Sequence, residues 1–178
     1  MSSFDSELST AEDSTDTILP SPSLLSSISH TLTVLINNIN QDNYSKVLLL
    51  QSHSPFSAPQ VPLISIDAYL ERIFSYSKCE ESSLVSSLIY LDRISSDGNV
   101  LLTPYNIHRI LFTSVLVAIK YNEDRIYKMK YYASIAGVSE KELRILESVF
   151  LSLVRFNLYI NEKEYEKYSN CLLIQDKS

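Results

Sequence analysis

The sequence predicts an all-α protein, and three observations support this fold class. Apolar residues recur at helical spacing along most of the chain, without the frequent turn signals that separate short strands. Only two glycines, Gly98 and Gly137, occur in 178 residues. An apolar content of 45% is enough for one well-packed core at this length. We therefore expect a single helical domain with tails.

The N-terminal segment, residues 1–20, is rich in Ser, Thr, Asp and Glu and poor in large apolar side chains. Burial cannot offset the conformational entropy of such a segment, so we expect a disordered acidic tail.

Residues 21–62 predict a helix followed by a connector. Pro22 suits a first helical turn, and the apolar spacing predicts a helix over about 22–39. Three prolines then interrupt regular structure before residue 63. We expect the apolar residues of this connector, Val47–Leu50 and Phe56, on the domain surface or in a groove.

Five helices are predicted within residues 63–160, over 67–77, 80–94, 107–119, about 126–135 and 140–156. The third is apolar or small at nearly every position, which indicates a buried central helix, and Pro104 suits its first turn. Gly137 is expected to end the fourth helix in a left-handed conformation. Ser139, with Glu142 three residues later, predicts the start of the fifth. A short last helix over 162–173 is expected within the C-terminal region, 161–178.

Charge and cysteine content exclude several functions. A net charge of −6 and a pI near 5.0 argue against a nucleic-acid surface. The longest apolar runs are too short to cross a membrane. Cys79 and Cys171 lie far apart with no metal-ligand spacing. We expect an intracellular protein, cytoplasmic or nuclear, that binds neither nucleic acid nor membrane.

No enzyme motif or cofactor site is recognisable. The three histidines have no Cys, Asp or His at ligand spacing, and the sequence contains no phosphate-binding loop or nucleophile elbow. We predict no metal, no cofactor and no catalytic residue. His108 is expected to be a hydrogen-bonded residue that is buried or half-buried.

Two segments carry a family resemblance. The stretch Tyr131–Phe156, YYASIAGVSEKELRILESVFLSLVRF, and the helix ILFTSVLVAIK ending at Lys120 resemble the second half of a cyclin box, and are most similar to phosphate-pathway (P/U-type) cyclins. The resemblance covers roughly 64–158. It implies a single cyclin box of five helices, with an extra helix on each side, in a regulatory subunit that binds and activates a cyclin-dependent protein kinase. The alternative is a helical scaffold of cyclin fold that binds proteins without activating a kinase.

The resemblance also implies site residues. Lys120 and Glu147 match the positions at which cyclins contact the C-helix of the kinase and the neighbouring backbone, and Leu151 and Phe156 match apolar kinase-contacting positions. Asp124 matches a position where an acid can face an arginine of the kinase. From the residues alone, simpler roles remain open: Lys120 suits a helix C-terminus, and Leu151 can be an ordinary exposed leucine beside Glu147.

A second pair is implied for protein substrates of the complex. Arg109 and Glu142 match positions at which a charged pair can face substrate. The alternative is that Arg109, Asp124 and Glu142 are three solvated surface charges. The first box helix, DAYLERIF, lacks the docking patch of cell-cycle cyclins. The family's Phe-Leu-Asp-Asp is replaced by YNED at 121–124, and its Gly-Gly pair by Ala136–Gly137.

Overall fold

The computed structural model describes residues 22–37, 54–96 and 100–175, which contain α-helices and no strand. The prediction of an all-α fold is confirmed. The helices are α1 (Pro22–Asn37), α2 (Ile66–Ser77), α3 (Glu81–Ser96), α4 (Ile107–Asn122), α5 (Met129–Ala136), α6 (Glu140–Leu153) and α7 (Glu162–Gln175). The expected tail at 1–20 and the apolar run Val47–Leu50 lie outside the described residues.

The helix α4 is the centre of the domain. Every residue from Ile107 to Ile119 is buried except Arg109, as expected for a helix that is apolar on all sides. It packs most extensively against α3 and α6, and it also touches α2 and α5. These five helices form the box, while α1 packs on α2 and α7 contacts α1 and α3 from outside.

The start of α4 differs slightly from the prediction. Pro104 lies in the turn that precedes the helix, and Ile107 is the first helical residue. Asn106 fixes that turn, because its side chain accepts from the backbone N–H of Thr103 and donates to the carbonyl of Leu101, both at 2.8 Å.

Local chemistry predicted the junction between α5 and α6. Gly137 ends α5 at φ 75°, and its N–H donates to the carbonyl of Ala133. The hydroxyl of Ser139 then accepts from the N–H of Glu142 at 3.1 Å and caps α6.

Three helix boundaries were predicted wrongly. The central helix, expected to end at Ile119 or Lys120, continues to Asn122. The helix expected from residue 126 begins only at Met129, since Glu123 and Lys128 have extended backbone conformations. The helix expected to reach residue 156 ends at Leu153, because Arg155 and Phe156 adopt left-handed conformations that leave the helix.

Phe56 was expected at the surface or in a groove, but it is only 1% exposed. The turn that carries it is held against α4: Ala58 N–H donates to the carbonyl of Tyr105, and the Arg109 guanidinium donates to the carbonyl of Pro55. These contacts bring the connector onto the core.

Among the described helices, none has the length and apolarity required to cross a bilayer.

Candidate functional site

A lysine and a glutamate join the end of α4 to the middle of α6. Lys120 Nζ lies 2.6 Å from Glu147 Oε1, in an ion pair that is also a hydrogen bond. The Lys120 side chain is 33% exposed and the Glu147 side chain 16%. The pair is therefore partly shielded yet reachable from solvent, and the packing of α4 on α6 brings its two members together across 27 residues of sequence.

The two apolar residues of the predicted site differ in exposure. Leu151, expected to be exposed beside Glu147, is only partly exposed and packs against the core. Phe156 is 70% exposed, and its backbone N–H donates to the carbonyl of Leu151 at 2.9 Å. Phe156 is thus a large apolar group that is exposed to solvent just after α6.

The loop after α4 carries two acids in different environments. Glu123 Oε1 accepts from the N–H of Glu80 at 3.0 Å and from the hydroxyl of Ser83 at 2.6 Å, so Glu123 caps the start of α3. Burial raises the pKa of Glu123, partly opposed by these hydrogen bonds. Asp124, in contrast, is exposed. Of the two acids, Asp124 is the one whose carboxylate is available to a partner.

The candidate substrate pair is also formed. Arg109 Nη2 lies 2.9 Å from Glu142 Oε1, with side chains 25% and 36% exposed, and Arg109 Nη1 donates to the carbonyl of Pro55 at 2.9 Å. Arg109 lies 11 residues before Lys120 in α4, which corresponds to about 16 Å along the helix axis. The two ion pairs therefore lie near opposite ends of α4.

His108 has a structural environment, as expected. Its Nε2 lies 2.8 Å from the carbonyl of Ile64, and its Nδ1 is buried with no hydrogen-bond partner among the described residues. Since a carbonyl only accepts, Nε2 carries the proton of the neutral ring. The ring contacts Tyr69 at a centroid distance of 5.1 Å, and burial lowers the pKa of His108.

Nothing in the sequence indicated that Arg93 binds the segment after Phe156 or that Glu123 caps the start of α3. Arg93 on α3 donates to the carbonyls of Asn157 and Tyr159, just after the Phe156 turn. These contacts join residues more than 60 positions apart, and no local pattern signals them.

Within the described residues, no group of three His, Cys, Asp or Glu side chains is placed to hold a metal ion.

Comparison with known proteins agrees with this architecture. The cyclin family model matches residues 13–158. The chain belongs to the cyclin family. Cyclin-U4-1 of Arabidopsis thaliana is 35% identical over 158 residues, covering 86% of this chain and 78% of the relative. Cyclin-P4-1 of Oryza sativa subsp. japonica is 38% identical over 125 residues, covering 70% of this chain and 58% of the relative.

The resemblance to P/U-type cyclins is therefore confirmed, and the seven described helices agree with a cyclin box that has one added helix on each side. Membership of this family gives the chain a regulatory role of cyclin type.

Proposed function

We propose that this cyclin binds a cyclin-dependent protein kinase and activates it, and that the docking surface comprises Lys120, Glu147, Leu151 and Phe156. The observation that carries the proposal is the Lys120–Glu147 pair, which is formed, partly shielded and still accessible. An exposed ion pair contributes little to the stability of the folded protein. Folding alone therefore does not account for this pair, whereas burial of the pair against a partner does.

The chemistry of the surface fits the end of a helix and its neighbouring backbone. Lys120 has three N–H donors and uses one on Glu147, and the Glu147 carboxylate keeps further acceptor capacity. These groups can satisfy backbone carbonyls and N–H groups that docking would otherwise bury unpaired. Phe156 supplies apolar area, and burial of such a side chain contributes about 1.5–3 kcal/mol.

Activation would follow from holding the kinase C-helix in place. An active kinase requires its own Lys–Glu ion pair, which depends on the position of that helix. A rigid cyclin surface supplies this positioning without a catalytic residue or cofactor of its own. Asp124 is proposed as a further contact, facing an arginine of the kinase. A complex of this kind would act in the cytoplasm, the nucleus or both.

The Arg109–Glu142 pair is proposed as a separate contact for protein substrates. Arg109 and Lys120 lie near opposite ends of α4, so a substrate and the kinase can be bound together. The side chains of Arg109 and Glu142 are 25% and 36% exposed, which leaves both charges accessible.

The test is a titration of the full chain against each purified cyclin-dependent kinase of the source organism, followed by phosphorylation assays on a general protein substrate. We expect one or more kinases to bind and to gain activity. A kinase that binds without gaining activity would support the scaffold alternative. Failure of every kinase to bind would reject the proposal.

A further inference from the structure

The turn after α6 holds an aromatic side chain in an unusual position. Arg155 and Phe156 have φ values of 53° and 54°, which residues with a Cβ rarely adopt, and here two adopt it in succession. The Phe156 side chain is nevertheless 70% exposed, so burial of the ring does not explain the conformation. Unfavourable backbone conformations persist only where surrounding contacts determine them, and they concentrate at functional sites.

Arg93 binds the segment that directly follows this turn. Its Nη1 donates to the carbonyl of Asn157 at 2.6 Å, and its Nη2 donates to the carbonyl of Tyr159 at 2.9 Å. The same Nη2 lies 2.9 Å from both carboxylate oxygens of Glu164, in the first turn of α7. The Arg93 side chain is only 19% exposed. One guanidinium thus connects α3, the segment after Phe156 and α7.

Tyr90 completes the anchor from the preceding turn of α3. Its hydroxyl donates to the carbonyl of Leu158 at 2.9 Å, and the Arg93 guanidinium lies 5.8 Å from its ring centroid. Burial raises the pKa of Tyr90 to about 12, so the hydroxyl remains a donor at neutral pH. Two side chains of one helix face therefore bind three successive carbonyls, those of residues 157, 158 and 159.

We propose that Arg93 is a positioning residue for kinase docking, because it fixes the segment after α6 and so presents Phe156 in one orientation. The inference rests on the proposed function, in which Phe156 contacts the kinase. A surface that is ordered before binding loses less conformational entropy on association, and this raises affinity without any contact between Arg93 and the partner.

An arginine is needed at this position. A guanidinium offers several N–H donors in a fixed plane, so it can reach two carbonyls and a carboxylate at once. A lysine has the same charge but a single ammonium group, which cannot span the same acceptors. Arg93→Lys should therefore lose the fixed position of Phe156 as Arg93→Ala does, although the lysine retains the positive charge opposite Glu164.

The first part of the test needs no kinase. Amide hydrogen exchange is measured on the wild-type full chain, on Arg93→Ala and on Arg93→Lys. We expect the amides of Phe156, Asn157 and Leu158 to exchange at least about tenfold faster in both variants, while the α6 amide of Leu146 stays protected. Unchanged exchange in the turn overturns the inference, whatever any kinase does. If Arg93→Ala does not fold, Arg93→Lys decides this part.

The second part is a double-mutant cycle on affinity for whichever cyclin-dependent kinase binds the wild-type chain. We expect Arg93→Ala to weaken Kd about tenfold when Phe156 is present and less than about twofold in the Phe156→Ala background. A merely structural role would weaken both backgrounds equally, which overturns the inference. Arg72→Ala is the matched control, because it removes another arginine-to-carbonyl bond, to Ser134 at 3.0 Å, and should leave Kd unchanged.

The two hypotheses fail in different ways. If Phe156→Ala binds the kinase as well as wild type, Phe156 does not belong to the docking surface, and the role given to Arg93 is wrong. If Phe156→Ala weakens binding and Arg93→Ala does not, only the role of Arg93 is wrong. If no kinase binds the wild-type chain, the proposed function fails and the exchange measurement alone decides whether Arg93 holds the turn.

Discussion

The ammonium of Lys120 and the carboxylate of Glu147 lie 2.6 Å apart, joining the last turn of α4 to the middle of α6. Both side chains come from helices that pack on each other, so their positions are set by the core. The pair is formed before any partner binds. A kinase that docks here would meet groups that are already oriented, which lowers the entropic cost of binding.

Removal of either member should weaken kinase binding more than it affects folding. We expect Lys120→Ala or Glu147→Ala each to weaken binding by about 2–5 kcal/mol, because truncation leaves the other charge buried in the complex without its partner. The free protein should lose less than about 1 kcal/mol, since the Lys120 side chain is 33% exposed. Calorimetric titration gives the affinity, and circular dichroism should show an unchanged helix content.

Lys141→Ala is the matched control, because it removes an exposed lysine from the same helix, α6. It should leave affinity unchanged. A Lys120→Ala/Glu147→Ala double variant that activates the kinase as well as wild type would show that the docking surface has been assigned wrongly.

The Arg109–Glu142 pair should affect substrate and not kinase affinity. We expect Glu142→Gln to raise KM for a protein substrate about two- to fivefold, which corresponds to one exposed charge contact, and Glu142→Lys to raise it further by repulsion from Arg109. Glu142 is preferable to Arg109 for this test, because Arg109 also binds the carbonyl of Pro55. Steady-state kinetics on a folded protein substrate measures the effect.

A short peptide that carries only the phosphorylation site serves as the control substrate, and its KM should not change. An equal rise for the peptide and the protein, or weaker kinase binding, would contradict a separate substrate contact.

Sequence reasoning succeeded where a structure depends on neighbouring residues. The cap at Ser139, the end of α5 at Gly137 and the burial of α4 all follow from local chemistry or periodicity, and all three are present. The family resemblance paired Arg109 with Glu142, and the structure brings them within 2.9 Å. Whether that pair and the Lys120 surface bind partners remains a prediction.

The errors arise from contacts between distant residues. Helical periodicity continues through Val154, so the sequence predicted a helix to residue 156, but the chain leaves the helix at Arg155 and Phe156, and Arg93 and Tyr90 bind the segment that follows. Glu123 similarly turns back to cap α3, 43 residues earlier in the chain. Neither effect has a signal within a window of one helix.

Because His108 is buried, we expect the folded protein to lose stability in weak acid. Burial lowers the folded-state pKa of His108 below the ordinary 6.5, and a second proton would place an N–H on the buried, unpartnered Nδ1. Below about pH 6.5 the unfolded chain therefore binds more protons at this residue than the folded chain does. The stability that His108 contributes is present above that pH and is lost as the pH falls toward the folded-state pKa.

Urea unfolding of wild type and His108→Gln at several pH values from 7.5 to 5.5 measures this effect. The glutamine amide can still donate to the carbonyl of Ile64 but does not titrate. The nearby hydroxyl of Tyr69 stays neutral in this range, because burial raises its pKa. We expect a steeper decline for wild type than for His108→Gln. Parallel curves would show that His108 makes no contribution to the pH dependence.

Replacement of Asp124 should affect activation of the kinase more than affinity for the kinase. If the exposed carboxylate of Asp124 faces an arginine of the kinase, it can take the place of the phosphate that orders an activation loop, since a carboxylate also pairs with a guanidinium through two hydrogen bonds. We expect Asp124→Ala to lower the activity of the complex with phosphatase-treated kinase roughly tenfold, while Kd changes less than about twofold. The apolar interface would be retained and the active population reduced.

Glu123→Gln separates this mechanism from a general loss of negative charge in the loop. Its side-chain oxygen can still accept from the N–H of Glu80 and the hydroxyl of Ser83, so the cap of α3 should persist and kinase activation should be unchanged. Because the Glu123 carboxylate already serves this cap, it should not replace Asp124. Equal losses of affinity and activity in Asp124→Ala, or no loss of either when both acids are replaced, would reject the mechanism and leave the cyclin assignment intact.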